Sequence, residues 1–230
     1  MIKLVIFDID GTLVDAYGAI RKSLNFTMRK LGYPDVSMRR VKRAVGLGDR
    51  EFIRNFFGKR DIEKAVGLYR SHHAKSLLSH SYVLRGARRI LEALKKNGCH
   101  LAIVSNRPDP FCSMLIDHLD LAGYFDMILC ARHRREIKPS PVMLRRVMRN
   151  LRAKPGETIY VGDMVVDVKA GRNAGVRTIA VTGGSSSRRE LIRARPFKVI
   201  SDIKGLTAAL RDVNIFGTAA VAGRCSKETR

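Results

Sequence analysis

The stretch Lys3-Leu4-Val5-Ile6-Phe7-Asp8-Ile9-Asp10-Gly11-Thr12 decides the fold. Leu4 to Phe7 is an unbroken apolar run, the pattern of a parallel strand covered on both faces, and it stops abruptly at two aspartates and a glycine. The reading is a buried strand emptying into a polar loop. Downstream, from about Ala16 to His80, no strand signal appears; Gly32-Tyr33-Pro34-Asp35, Gly46-Leu47-Gly48-Asp49 and Gly58 to Asp61 punctuate short amphipathic helices. After Tyr82 the pattern alternates. Helix Ala87 to Asn97 closes at Gly98 and feeds strand His100 to Val104, and helix Phe111 to Leu119 leads to strand Asp126 to Cys130. Helix Pro141 to Leu151 leads to strand Thr158 to Val161, and helix Val166 to Ala174, stopped by Gly175, leads to strand Arg177 to Val181, with a last short strand at Phe197 to Ile200.

Repeated βα units predict an α/β fold, a doubly wound parallel sheet, with an inserted helical subdomain. The expected division is a core of residues 1–15 and 81–210, helices over 16–80, and a frayed tail over 211–230.

Composition narrows the function. The chain has 230 residues, 45% of them hydrophobic, enough for a packed core, which excludes global disorder. Its apolar runs are of strand length, far below the roughly 20 residues that span a bilayer. Strand residues begin immediately, with carboxylates before any cleavage site, so the expectation is a cytoplasmic protein without a secretory leader. Four scattered cysteines (Cys99, Cys112, Cys130, Cys225) form no C-x-x-C pair and read as reduced thiols. Lys and Arg number 44 against 21 Asp and Glu, a net charge of +23. The basic runs, such as Arg39-Arg40, Arg145-Arg146 and Arg188-Arg189, fall on polar helix faces without interleaved aromatics, which favours solvated surfaces over a nucleic-acid interface while leaving nucleic acid open.

Ligands of open α/β sheets bind beyond the carboxyl ends of the strands. Those ends carry Asp8 and Asp10, then Ser105-Asn106, then Lys138-Pro139, then Gly162-Asp163 with Asp167 one turn on. A carboxylate nucleophile attacking a phosphate monoester needs a cation to relieve anion–anion repulsion. Asp8 suits the nucleophile, and Asp10 suits the proton donor to the leaving oxygen and acceptor from water. Lys138 offsets repulsion and contacts the phosphoryl oxygens, while Ser105 and the Asn106 backbone N–H supply neutral donors. Asp8, the Asp10 carbonyl and Asp163 or Asp167 form an oxygen set of the kind Mg²⁺ prefers. Thr12 holds the loop and joins the substrate-binding set. Each residue also has a plainer reading: Asp8 or Ser105 as helix caps, Asp15 as a cap of the first inserted helix, Phe56-Phe57 as helical core, and the six histidines as surface residues.

Together, Phe7-Asp8-Ile9-Asp10-Gly11-Thr12-Leu13-Val14-Asp15, Ser105-Asn106, Lys138-Pro139 and Gly162-Asp163-Met164-Val165-Val166-Asp167 resemble the four motifs of the haloacid-dehalogenase-like (HAD) superfamily, over residues 1 to about 210. The phosphoglycolate-phosphatase-like branch is the nearest look. The resemblance implies a Rossmann-like core with strand order 3-2-1-4-5, a helical cap, a Mg²⁺ requirement, and phosphatase action on a small phosphorylated metabolite by a monomer or homodimer. Met164 and Leu84-Arg85-Gly86 depart from the family's usual small polar residue and Pro-Gly. A sugar-phosphate mutase typically separates the Ser and Asn that are contiguous here, a dehalogenase lacks the second carboxylate that Asp10 supplies, and a noncatalytic, RNA-attracted module has no need of the Asp8–Asp10 pair. In caps of this type the loop Val45-Gly46-Leu47-Gly48-Asp49-Arg50 faces the active site, so Arg50 is a candidate for binding a second anion of the substrate.

Overall fold

The computed structural model describes residues 1–211. Strand β1 (Leu4–Phe7) is followed by a two-residue strand β2 (Val14–Asp15) and the helices α1 (Tyr17–Lys30), α2 (Met38–Ala44), α3 (Asp49–Arg54) and α4 (Ile62–Ser79). Strand β3 (Tyr82–Val83) returns the chain, and then come α5 (Ala87–Lys96), β4 (His100–Ser105), α6 (Asp109–His118), β5 (Met127–Cys130) and α7 (Val142–Asn150). The remaining elements are β6 (Thr158–Gly162), α8 (Val165–Ala174), β7 (Arg177–Val181), α9 (Arg188–Arg193), β8 (Lys198–Ile200) and α10 (Leu206–Arg211).

Six parallel strands form one sheet in the order β5-β4-β1-β6-β7-β8. The first strand is central, so it must be apolar on both faces, and alternate residues of β1 feed two cores. Val5 and Phe7 pack with Leu101, Ile103, Ile159 and Val161 under α5 and α6. Leu4 and Ile6 pack with Ala102, Val104 and Tyr160 against Leu144 and Val147 of α7 and Ala170 of α8.

Helices α1–α4 carry a hydrophobic cluster of their own, including Leu24, Ile53, Phe56, Phe57 and Tyr69, so the phenylalanine pair is packing, not a platform. They are tied to the sheet domain by β2 and β3, an antiparallel pair (Val14↔Val83, Asp15↔Tyr82) too short to show in the sequence pattern. Asp15 accepts from the Tyr17 backbone N–H (3.0 Å), as a cap would, and from the Tyr82 hydroxyl (3.0 Å).

Two expectations change. Cys112 and Cys130 are joined in a disulfide, because α6 packs on the sheet where β5 ends and sets their Cα atoms 6.8 Å apart; Cys99 is free and buried, and Cys225 lies outside the described residues. His73 is buried at 1% exposure inside α4 instead of lying on the surface, while His80, His100, His118 and His133 are exposed. The expected tail falls, apart from Arg211, outside the described residues. Among the described residues no helix is long and apolar enough to cross a membrane.

Leu91 of α5 is fully buried in the larger core. Leu91→Ala is expected to lower stability by about 2–5 kcal/mol, read as a lower urea midpoint at unchanged slope.

Candidate active site

Parallel strands end side by side, and the ends of β1, β4 and β6 bring Asp8, Ser105, Asn106 and Asp163 together. Asp167 lies in the first turn of α8, and Lys138 enters from the segment between β5 and α7. Asp8, Asp163 and Asp167 are all buried, and each offers an oxygen within 4.8 Å of the others. Lys138 is buried among them. Its Nζ donates to Asp8 Oδ1 (2.7 Å), Asp167 Oδ1 (2.7 Å), the Tyr160 hydroxyl (3.0 Å) and the Val104 carbonyl (3.3 Å). Tyr160 in turn donates to Asp167 (2.8 Å).

Fully ionised, three carboxylates against one ammonium would leave two negative charges in a buried space. Burial, together with Asp167, pushes the Asp8 carboxyl up to about 7 against the pull of Lys138. Asp163 is raised by burial and by Asp167 and Asp8. Burial works against the Lys138 ammonium, but Asp167 and Asp8 hold it above its ordinary value. The remaining charge is partly met by neutral donors: the Ser185 N–H (2.6 Å) and Tyr17 hydroxyl (3.2 Å) on Asp163, and the Met164 N–H (2.9 Å) on Asp167. An all-oxygen set with a deficit of two positive charges fits a hard divalent cation.

The structure separates the expected site residues by task. Asp8, Asp10, Ser105, Asn106 and Lys138 line one pocket. Ser105 is not a helix cap, since α6 begins at Asp109; its Oγ accepts from the Arg107 N–H (3.2 Å). Asn106 braces the pocket, its Oδ1 accepting from the Lys138 N–H (2.8 Å) and its Nδ2 donating to the Gly46 carbonyl (2.6 Å). Thr12 does not reach the pocket; its hydroxyl is buried against Asp163 Oδ1 at 3.5 Å. The Asp10 carboxylate is not one of the three clustered carboxylates, and both its oxygens accept from Arg107.

Arg50 is a correction. The Gly46–Asp49 loop does come down to the pocket, but α3 starts at Asp49 and turns Arg50 outward, where both Nη atoms bond Glu63 on the exposed face of α4. Four residues that the sequence reading did not single out complete the site. Arg107 donates to Asp10 through Nε (3.0 Å) and Nη2 (2.6 Å), and through Nη1 to His73 Nε2 (3.0 Å). Tyr17 and Tyr160 hold Asp163 and Asp167. Arg107 directly follows Ser105-Asn106, a cation beside a motif that could have been noticed; His73 gives no such signal.

The family model described as haloacid dehalogenase-like hydrolase matches residues 5–181. A phosphoglycolate phosphatase of Aquifex aeolicus is 31% identical over 79% of this chain and 85% of its own length. Phosphoglycolate phosphatase 1 of Pseudomonas aeruginosa is 30% identical over 89% and 78%. Among solved structures, a predicted phosphoglycolate phosphatase from Haemophilus somnus superposes with a TM-score of 0.85 at 22% identity, covering 90% of this chain and 97% of that one, a likeness of fold.

The charge deficit has a measurable consequence. With the folded Asp8 carboxyl raised from 3.8 to about 7, the folded protein holds a proton in that window that the unfolded chain has lost, so metal-free stability falls as pH rises through it. A divalent cation such as Mg²⁺ held by these carboxylates would compete with that proton, so the gain in melting temperature on adding it is expected to be small near pH 4 and to grow toward pH 7. Calorimetric scans with and without Mg²⁺ across the window check this; a gain independent of pH would contradict it.

Proposed function

The chain belongs to the haloacid dehalogenase-like hydrolase family, and we propose that it is a Mg²⁺-dependent phosphoric monoester hydrolase acting on a small substrate of the phosphoglycolate kind through an aspartyl-phosphate. The observation that carries this reading is Asp8 lining the pocket with its Oδ1 held by the Lys138 ammonium at 2.7 Å, beside two further buried carboxylates. In the same proposal α1–α4 are a cap over the sheet core, covering residues 16–80.

The substrate phosphoryl group enters against Ser105 and Asn106, with the Lys138 ammonium adding positive charge beside Asp8. An Asp8 carboxylate oxygen attacks phosphorus and the bond to the leaving oxygen breaks, giving an acyl phosphate on Asp8. Asp10, which accepts two hydrogen bonds from Arg107 in this structure, enters the step protonated after leaving that ion pair and delivers its proton to the leaving oxygen. It then takes a proton from the water that releases phosphate and restores Asp8. Asp8, Asp163 and Asp167 would hold Mg²⁺, which would supply the positive charge that lets two anions approach. Lys138 keeps Asp8 and Asp167 apart, and Thr12, Tyr17 and the Ser185 N–H fix Asp163.

Asp8→Asn is expected to abolish hydrolysis of phosphoglycolate and p-nitrophenyl phosphate while keeping the fold, since the amide is nearly isosteric but a poor nucleophile. Asp10→Asn should lower kcat by about 10²–10⁴-fold on an alkyl phosphate. EDTA should silence the enzyme and Mg²⁺ restore it. Appreciable turnover by Asp8→Asn would sink the reading.

A further inference from the structure

Arg107 and His73 join the proposed acid to the helical insertion. The Arg107 guanidinium has five N–H donors. Three are engaged, two by Asp10 and one by His73, so Nη1 and Nη2 each keep one N–H without a partner among the described residues. The position of the guanidinium is fixed from both sides. Ser23 gives its hydroxyl proton to the Ala19 carbonyl (2.9 Å), so its oxygen accepts from His73 Nδ1–H (3.2 Å), and the Nε2 lone pair of His73 faces Arg107. The His73 ring is stacked on Tyr69 (4.9 Å between centroids) and meets the edge of Phe111 (5.1 Å). Burial, and then the neighbouring Arg107 charge, push the imidazole down to about 2, so it stays a neutral acceptor.

The other cation lining the pocket is Lys138, whose three protons already face four acceptors. Asp49 is held by Arg70. Much of the remaining wall, including Ile20, Val45, Phe52 and Phe111, is apolar, and an anion placed there would lose its hydration without compensation. Among the described residues, Arg107 is therefore the pocket cation with donors in reserve.

We propose that Arg107 is a specificity-determining residue of this reaction, recognising the carboxylate on the leaving group of a substrate of the phosphoglycolate kind and held in register for it by His73. The inference rests on the phosphatase reading above and moves the role once expected of Arg50 to Arg107.

The test compares phosphoglycolate with ethyl phosphate, which has a similar alkoxide but no carboxylate, in wild type, Arg107→Lys, Arg107→Gln and His73→Phe. Wild type should prefer phosphoglycolate. Both Arg107 variants should lose about 10–100-fold of that preference in kcat/KM, chiefly as a higher KM for phosphoglycolate; any loss common to both esters reports the placement of Asp10 and should appear in kcat. His73→Phe, which keeps the ring but removes the acceptor, should shift the preference the same way by a smaller factor. Arg107→Lys keeps the charge and loses the fork, so it decides the matter should Arg107→Gln not fold. Equal losses on both esters in the Arg107 variants would overturn the proposal and leave Arg107 as a support for Asp10. Wild type hydrolysing both esters equally well would also overturn it while the phosphatase reading stands. Hydrolysis of neither ester would remove both.

Discussion

Three carboxylates and one ammonium share a buried space at the ends of β1 and β6, and much of the surrounding structure can be understood as a response to that imbalance. Buried ions are costly unless their remaining valences are filled. Lys138 settles one negative charge, and its position requires the segment after β5 to pass directly over the sheet, where Asn106 holds its backbone. The rest of the burden falls on neutral donors from distant parts of the chain: Tyr17 from the first inserted helix, Tyr160 from β6 and Ser185 from the loop after β7. The backbone has been cleared for these carboxylates. A Cβ on Gly162 would stand 2.5 Å from Asp167 Cγ, and one on Gly184 would overlap Asp163, so both positions admit glycine alone without displacing a carboxylate.

A second layer links this group to the inserted helices. Arg107 leaves the end of β4 and meets Asp10 of the β1 loop and His73 of α4, so the same guanidinium touches the proposed acid and the insertion. Asn106 does likewise, bonding Lys138 on one side and Gly46 on the other. Lys42 of α2 reaches the Gly183 carbonyl (3.0 Å). These bridges are polar and specific in geometry, whereas the helices keep their own apolar cluster. Apolar contacts cross the boundary as well, since Ala19 of α1 and Leu77 of α4 belong to the core cluster of Val5, Phe7 and Leu115.

The sheet was legible in the sequence because parallel, doubly covered strands leave continuous apolar runs, and the polar residues that interrupt them mark the strand ends. Asp8, Asp163, Asp167 and Lys138 were legible for that reason. Arg107 was less so, since an arginine after a strand is ordinary until the fold brings Asp10 alongside. His73 was hidden altogether: its burial depends on α1 and α6 covering one face of α4, a packing relation that a lone histidine in a helical pattern does not announce. Arg50 failed for a local reason. The loop descends as its glycines suggested, but one turn of α3 is enough to point Arg50 away. The Cys112–Cys130 pairing had no spacing signature, being made by the contact of α6 with β5.

Long-range and short-range charge act in opposite senses here. The sequence carries a net charge of +23, and among the described residues most Lys and Arg side chains are exposed or half-exposed, while the pocket floor sets three buried carboxylates against one ammonium. A phosphate dianion is drawn toward the surface at low salt, but the Debye length is about 8 Å at physiological ionic strength, so most of that field is lost before the substrate arrives. The buried carboxylates are screened far less. Without a cation they oppose the dianion at the point where it must come closest, and the basic exterior does not offset a repulsion acting over a few ångströms. In the proposed reaction the positive surface acts on encounter and a cation on the carboxylate group would act on binding, and the two are separable because only the first fades with salt.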